Sequence, residues 1–439
     1  MRLLEWLGLG MHIKKWLLLG ILGIFFISVT LASFFSGFFS DLNTLSCIII
    51  FIVGIACIGF SIKYGFISLF MLCTDAKLDK NKVNKALYDN KVRVRGPKIA
   101  VIGGGTGLSV LLRGLKLYTT NITAIVTVAD DGGGSGKLRE DLGMLPPGDI
   151  RNCILALAEM EPTMEKLLQY RFEEGSLKGQ SFGNLLIASM NGISDNFEDA
   201  IKKINDVLAV TGSVIPVTLE DITLYAELEN GKVIKGESNI PVKSLEEKSK
   251  IKRVFIEPKK ASAVSEAIGA INQADAVILG PGSLYTSIIP NLLIQDIQEA
   301  LSKTSAIKIY IPNIMTQPGE TDNYSVCDHL KGIQMHAPKL KIDYVAVNRG
   351  SIPIDVKEKY LTEGAEFIQV LEADISCIKS QHIGIIEDSF IDIKNQYVRH
   401  DAAKLSKIII EQVQQLKAGS EKKNIIEKFI QKDVVKQNN

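Results

Sequence analysis

The chain has 439 residues, enough for two or three ordinary domains or one large α/β domain with attachments. Its formal net charge of +1 gives no bulk-charge case for nucleic-acid binding. The 6 cysteines form no CxxC pair and the 5 histidines no metal-type cluster, so a zinc site or disulfide framework is disfavoured and the thiols are expected to be reduced and mostly buried.

The mean hydropathy of +0.17 is high, and the excess lies in the first 73 residues. Trp16 to Phe39 and Leu45 to Ile62 carry no charge, and each run is long enough to cross a hydrocarbon core of ~30 Å as a helix. The short polar turn Ser40-Asp41-Leu42-Asn43-Thr44 makes the two spans antiparallel. Lys14 and Lys15 precede the first span, and Lys63 and the basic stretch from Lys77 to Lys98 follow the second. By the positive-inside rule both ends face the cytoplasm, which predicts a multi-pass protein of the cell membrane with its remaining domains in the cytoplasm. The competing readings are a cleaved signal peptide, with Leu31-Ala32-Ser33 as a loose cleavage-like site, and a buried hairpin in a soluble core. Tyr64 to Leu72 either lies in the interface or extends the second helix. Residues 74–97 read as a basic linker.

From Lys98 the pattern changes to short β-rich runs alternating with helical ones. Lys98–Ile102 and Ile122–Ala129 read as strands, and Leu108–Leu117 and Ile150–Met160 as helices. Asn230-Gly231 between the alternating runs Thr223–Glu229 and Lys232–Gly236 predicts an inserted β-hairpin. Further strands are expected at Ile251–Ile256, Ala276–Leu279, Ile307–Ile311 and Tyr344–Val347. Helices are expected near Ala261–Asn272, Ile294–Leu301 and Ser325–Lys331. This alternation predicts an α/β, Rossmann-like, doubly wound and mostly parallel sheet over residues 98–395. Residues 396–439 read as a lysine-rich helical tail.

Three glycine loops follow predicted strands. In Gly103-Gly104-Gly105-Thr106-Gly107 the backbone can turn sharply and approach an anion, and the helix that follows adds free N–H groups. The spacing is GxGxG, with Leu108 where a dinucleotide fingerprint needs glycine, and no Walker lysine follows; NAD is therefore a weaker expectation. Asp130-Asp131 opens the second loop, Asp130-Asp131-Gly132-Gly133-Gly134-Ser135-Gly136. The two acids can contact a ribose or hold Mg²⁺ across phosphates. Gly280-Pro281-Gly282-Ser283 repeats the strand-to-glycine logic, with Ser283 as a phosphate donor. In Pro146-Pro147-Gly148-Asp149-Ile150-Arg151, Asp149 suits a helix start and Arg151 can bind phosphate in bidentate fashion. Asn184, in Ser181-Phe182-Gly183-Asn184, can read a base or sugar edge. The nucleotide site is thus expected at Gly104, Gly105, Thr106, Gly107, Asp130, Asp131, Arg151, Asn184, Gly282 and Ser283, with Asp130 and Asp131 as the metal candidates. No Ser/His/Asp or Cys/His arrangement offers a catalytic centre.

Six motifs in order, GGGTGLS at 103–109, TVADDGGGSGKLR at 127–139, PPGDIRNC at 146–153, SFGNLL at 181–186, LGPGSLYTSIIPNLL at 279–293 and MTQPGETDNY at 315–324, resemble the gluconeogenesis factor (YvcK-like) family, related to the 2-phospho-L-lactate transferases. The resemblance implies a Rossmann-like domain that binds a UDP-sugar, UDP-N-acetylglucosamine or UDP-glucose. It implies a regulatory protein without firm catalytic activity, coupling carbon status to peptidoglycan synthesis and cell shape on gluconeogenic carbon sources. Cell-wall synthesis proteins and a second copy of the chain are the implied partners. The transferase branch implies the alternative, a Mg²⁺-dependent phospho-group transferase using acids that match the Asp130-Asp131 region. The membrane hairpin departs from the family's common soluble form.

Overall fold

The structure, a computed structural model, describes residues 13–36, 44–73, 93–159, 162–394 and 396–437. It divides into two compact units on either side of residue 90. Residues 40–43 of the turn predicted at Ser40 to Thr44, and residues 74–92 of the basic linker predicted at 74–97, lie outside the described residues.

The first unit is a pair of helices, Ile13–Ser36 and Thr44–Cys73. Tyr64 to Leu72 extends the second helix, which settles the alternative left open by the sequence. Small residues let the two backbones meet. A Cβ on Gly23 would lie 2.8 Å from the Gly54 carbonyl oxygen, and one on Gly54 would lie 3.0 Å from the Gly23 carbonyl oxygen. At the open end Trp16 stacks on Tyr64 with centroids 4.7 Å apart, and the Ser61 hydroxyl donates to the Trp16 carbonyl at 2.5 Å. The spans Lys15–Ser33 and Leu45–Phe66 are long and apolar enough to cross a membrane, and they leave Leu18, Ile21, Phe25, Ile48, Ile52 and Phe60 exposed. Such outward-facing apolar surfaces are compatible with a hairpin in a membrane.

The second unit is built on a seven-stranded parallel sheet. Its strands are β1 (Ile99–Gly103), β2 (Ile122–Val126), β3 (Ser213–Pro216), β7 (Ala276–Leu279), β8 (Ile307–Tyr310), β9 (Tyr344–Asn348) and β10 (Gly384–Asp388), in the order β10-β9-β8-β7-β1-β2-β3. The central strands are apolar on both faces because helices cover both. Ile99 to Ile102 and Ala276 to Leu279 are all buried, as a parallel sheet requires. The order runs from β1 outward to β3, then resumes at β7 on the other side of β1. The switch point therefore lies between β1 and β7, where an open sheet leaves a crevice at its carboxyl edge.

Between β3 and β7 sits a three-stranded antiparallel insert of β4 (Thr223–Leu228), β5 (Val233–Lys235) and β6 (Ile251–Glu257), in the order β5-β4-β6. The Asn230-Gly231 turn joins β4 and β5 as expected, with Gly231 at φ 85°. The strand expected at Ile251–Ile256 forms, and it joins this insert: β6 pairs antiparallel with β4. Its burial alternates, with Val254 and Ile256 buried and Lys252 and Arg253 exposed, and this half-buried pattern suits a small two-layer sheet.

After β10 the chain makes a hairpin of β11 (Ile391–Lys394) and β12 (Tyr397–His400), then enters the long helix Ala402–Gln437. Leu405, Ile409, Ile410 and Val413 of this helix are buried in the core. Gly114, on the helix after β1, permits the approach, since a Cβ there would lie 2.1 Å from the Ala402 carbonyl oxygen. The first turns of the tail thus belong to the domain. The thiols need a correction. Cys327 and Cys377 form a disulfide between the helices Val326–His336 and Glu372–Ser380, with Cα atoms 6.4 Å apart. A separation of 50 residues hides that proximity in the sequence. Cys153 is free and buried, as expected.

Candidate functional site

The crevice at the switch point is a cleft of about 510 Å³. Its floor is the junction of two glycine loops, one after β1 and one after β7. Gly107 faces the second loop so closely that a Cβ would stand 2.8 Å from the Pro281 carbonyl oxygen and 3.2 Å from Gly282 Cα. Asn291, fully buried, ties the junction by donating to the carbonyls of Gly103 at 3.2 Å and Ser287 at 2.7 Å. Gly105 has φ +69°, the left-handed turn that starts the helix Gly105–Leu115. Gly104, Gly105, Thr106, Gly107, Gly282 and Ser283, all expected from the sequence, line the cleft. Ser283 accepts from Gln317 Nε2 at 2.6 Å, and Asn313 Nδ2 in turn donates to Gln317 Oε1 at 2.9 Å. These two amides form one polar wall.

The opposite wall is acidic. Asp149, read from sequence as a helix-start residue, presses on the first loop: a Cβ on Gly104 would lie 2.5 Å from its Oδ2. It also accepts the Gly105 backbone N–H, so that donor of the loop is already engaged. Burial, reinforced by the neighbouring Asp130 charge, pushes the Asp149 carboxyl up to about 7, against the restraining Gly105 N–H and Arg151. Asp130 lines the cleft and takes the Gly132 N–H at 2.9 Å. Glu237, from the insert, completes this wall. Burial, and then the charges of Asp130 and Asp149, lift its carboxyl to about 8. Below the cleft Glu320 is buried and accepts from Thr286 Oγ1 at 3.3 Å and from backbone N–H groups of Tyr285 and Thr286; burial raises it to about 7.

The third wall comes from β12, which contributes Val398, Arg399 and His400 beside Tyr360. Burial lowers the His400 imidazole to about 4 despite its hydrogen bond to the Pro312 carbonyl, so it is neutral at physiological pH. Arg399 is the cleft's one arginine among the described residues.

Three expected residues sit elsewhere. Asp131 turns away from Asp130 because adjacent residues of an extended segment point to opposite sides. Its Oδ1 accepts the Ser238 backbone N–H at 2.9 Å. The two acids therefore do not make one metal-binding face, and the described residues contain no cluster of three or more metal-ligating side chains. Arg151 faces a second groove of about 690 Å³ outside the helix Gly105–Leu115. Its guanidinium donates to Ser181 Oγ, to Asn184 Oδ1 at 2.8 Å and to Asn152 Oδ1 at 2.9 Å. Asn184 is buried and spent on that contact. The helix carrying Asp149 and Arg151 turns them about 200° apart, which puts one in the cleft and the other behind it. Glu237, Gln317, Arg399 and His400 were not read from the sequence as site residues. Only Gln317 stood in a noted motif; the others come from distant segments with no local signature.

Comparison with known proteins agrees with this architecture. The family model described as 2-phospho-L-lactate transferase CofD matches residues 99–391. A putative gluconeogenesis factor of Clostridium acetobutylicum is 49% identical over 444 residues, covering 100% of this chain and 98% of the relative. The chain belongs to the gluconeogenesis factor family. The gluconeogenesis factor of Bacillus subtilis is 47% identical across 72% of this chain and 98% of its own length. Among solved structures, protein BH3568 of Bacillus halodurans superimposes with a TM-score of 0.68 at 46% identity, covering 72% of this chain and 99% of that one. The family model therefore covers residues 99–391 of the second unit, while the Clostridium relative spans the helical hairpin as well.

Proposed function

We propose that this family member is a UDP-sugar-binding regulatory protein held at the cytoplasmic face of the cell membrane by its helical hairpin, where it couples carbon supply to cell-wall synthesis and cell shape. The observation that carries the proposal is the backbone contact between Gly107 and Pro281-Gly282 at the switch point. Two strand-end loops meet there with no side chain between them, which leaves main-chain donors and the Ser283 hydroxyl for a diphosphate. Arg399 supplies the compensating charge, and Gln317 and Asn313 offer amide groups to a uracil or sugar edge. Among the described residues, the Ser283 Oγ in this cleft accepts from Gln317 Nε2 and keeps its own O–H to donate to a phosphate oxygen. The partners that follow are the nucleotide sugar, the membrane, proteins of cell-wall synthesis and a second copy of the chain.

The second reading, a Mg²⁺-dependent transferase of the 2-phospho-L-lactate type, is favoured by one observation. Asp149 combines a carboxyl poised near neutrality with a position against the glycine loop. For Mg²⁺ the cleft offers Asp130 and Asp149 rather than Asp130 and Asp131. Phosphate oxygens and water are needed to complete the shell. Bound there, the ion would neutralise phosphate charge.

Calorimetry on the full chain in detergent, titrated with UDP-N-acetylglucosamine, GDP and NAD with and without Mg²⁺, tests both readings. Selective binding of the uridine nucleotide without turnover is expected. Absence of any uridine-nucleotide binding overturns the first reading, and conversion of the bound ligand favours the second.

A further inference from the structure

The insert contributes to the cleft wall through the turn that follows β5. The carboxylate of Asp131 lies against that turn. Its Oδ1 takes the Ser238 N–H at 2.9 Å, and its Oδ2 sits where a Cβ on Gly236 would come within 2.5 Å. Gly236 has φ +95°, so glycine is needed there for conformation as well as for space. The Asn239 side chain closes the turn by donating to the Lys235 carbonyl at 3.1 Å. Held between these contacts, Glu237 faces the cleft. Its carboxyl has no hydrogen-bond or ion-pair partner among the described residues.

We propose that Glu237 reads the hydroxyl-bearing sugar end of the ligand, and that Asp131 is the positioning residue that latches it there. This rests on the UDP-sugar reading above. The charges decide which end of the ligand meets this wall. Glu237 is surrounded by Asp130, Asp149, Glu320 and Asp131, all acidic. Each of these carboxyls that is ionised repels a phosphate ~5 Å away by about 3 kcal/mol at an effective dielectric of ~20, and one that keeps its proton offers an O–H to a sugar oxygen instead. The diphosphate therefore belongs on the side of Gly107, Gly282 and Arg399. Carboxyl oxygens without a protein donor suit hydroxyl and amide N–H groups, and a pyranose ring supplies several. Glu237 is half-buried, so a sugar seated against it covers the carboxyl and supplies the hydrogen bonds that water made before, whereas a ligand that covers it without such groups leaves it unpaired. Selectivity for the sugar thus depends on an element inserted into the sheet fold rather than on the phosphate loops.

The test uses the full chain in detergent, with calorimetric titration of UDP, UDP-glucose and UDP-N-acetylglucosamine, repeated in EDTA. Wild type is expected to prefer the nucleotide sugars over UDP. Glu237→Ala is expected to lower nucleotide-sugar affinity about tenfold, the worth of one or two hydrogen bonds, with UDP affinity kept within about twofold. Glu237→Gln is expected to restore part of the preference, since an amide still bonds hydroxyls. Asp131→Ala leaves the Glu237 carboxyl in the chain but frees the turn, and is expected to weaken the preference for nucleotide sugar while the far-ultraviolet dichroism stays unchanged. Equal losses for UDP and the nucleotide sugars in Glu237→Ala, or no loss for either, overturn the role of Glu237. An undiminished preference in Asp131→Ala overturns the latch. If wild type binds no uridine nucleotide at all, the underlying reading fails together with the inference, whereas wild-type binding with an unaltered preference in Glu237→Ala sinks the inference alone.

Discussion

Replacing Gly107 by alanine sets two effects of known sign against each other. The residue lies within the helix Gly105–Leu115 and its φ is not left-handed, so alanine improves local helix propensity by about 0.8–1.0 kcal/mol. Packing opposes it. The new methyl would stand 2.8 Å from the Pro281 oxygen, 3.0 Å from the Pro281 carbonyl carbon and 3.2 Å from Gly282 Cα, where ordinary contact begins at 3.4 Å. These are backbone atoms and cannot rotate away, so the loops must part by roughly 0.6 Å, and overpacking of this kind costs about 1–3 kcal/mol. The net destabilisation is about 0–2 kcal/mol, which for a domain of this size lowers Tm by at most about 8 °C, at ~2–4 °C per kcal/mol. The effect on the ligand is larger, because the displaced loop carries Gly282 and Ser283. We expect an affinity loss for UDP-N-acetylglucosamine of at least about tenfold, or ~1.4 kcal/mol. Gly105→Ala is the control. Its nearest neighbour would be Ser287 Oγ at 3.6 Å, so nothing collides, but the φ of +69° costs a non-glycine residue about 1–2 kcal/mol. Calorimetry and thermal unfolding of both variants separate displacement from strain. A Gly107→Ala protein that melts higher than wild type and binds unchanged would falsify the loop contact.

Three further outcomes are expected. Glu320 has its folded-state pKa raised from an ordinary 4.5 to about 7, so the native state binds the extra proton. The group costs nothing below pH ~4.5, and stability falls as pH rises through 7, by up to about 3 kcal/mol. Glu320→Gln, which keeps the oxygen that accepts from Thr286, should therefore be more stable than wild type at pH 8 and equal to it at pH 4; parallel stability curves for the two proteins would contradict this. Gly114→Ala should unseat the start of the long C-terminal helix, because even a methyl meets the Ala402 carbonyl oxygen at 2.1 Å. Hydrogen exchange across Leu405–Val413 reads it, and unchanged protection would refute the packing. Removing residues 1–73 should move the protein from the membrane fraction to the soluble one; full-length protein already in the soluble fraction would count against the hairpin as an anchor.

Much of the fold was legible because its signals are local. The glycine loops after β1 and β7 follow directly on buried strands, so those strand ends and the crevice could be read from consecutive residues, and Asn230-Gly231 announced its hairpin. The rest stayed hidden where the answer depended on pairing between distant segments. β6 has the residues of a strand but nothing in Ile251–Glu257 says which sheet it joins. Asp130 and Asp131 look like a chelating pair in one dimension, and only the backbone direction separates them. Arg151 belongs to the right motif but to the wrong face of its helix. Glu237 and Arg399 approach the cleft from an insert and from the last hairpin, and no spacing rule connects either to Gly104.

The wall formed by β12 has a consequence for biosynthesis. The helical hairpin is complete at Cys73, yet the cleft has no third side until His400 has emerged. At ~5–20 residues per second the intervening segment takes roughly 16–65 s to translate. Throughout that interval the nascent chain already carries its apolar helices while β7, β8 and β9 arrive one by one. Only when the hairpin of β11 and β12 has formed do Val398, Arg399 and His400 join the cleft lining. On the function proposed above, the hairpin can engage the membrane well before the cleft is complete, and ribosome-bound intermediates should then be empty whatever the nucleotide concentration.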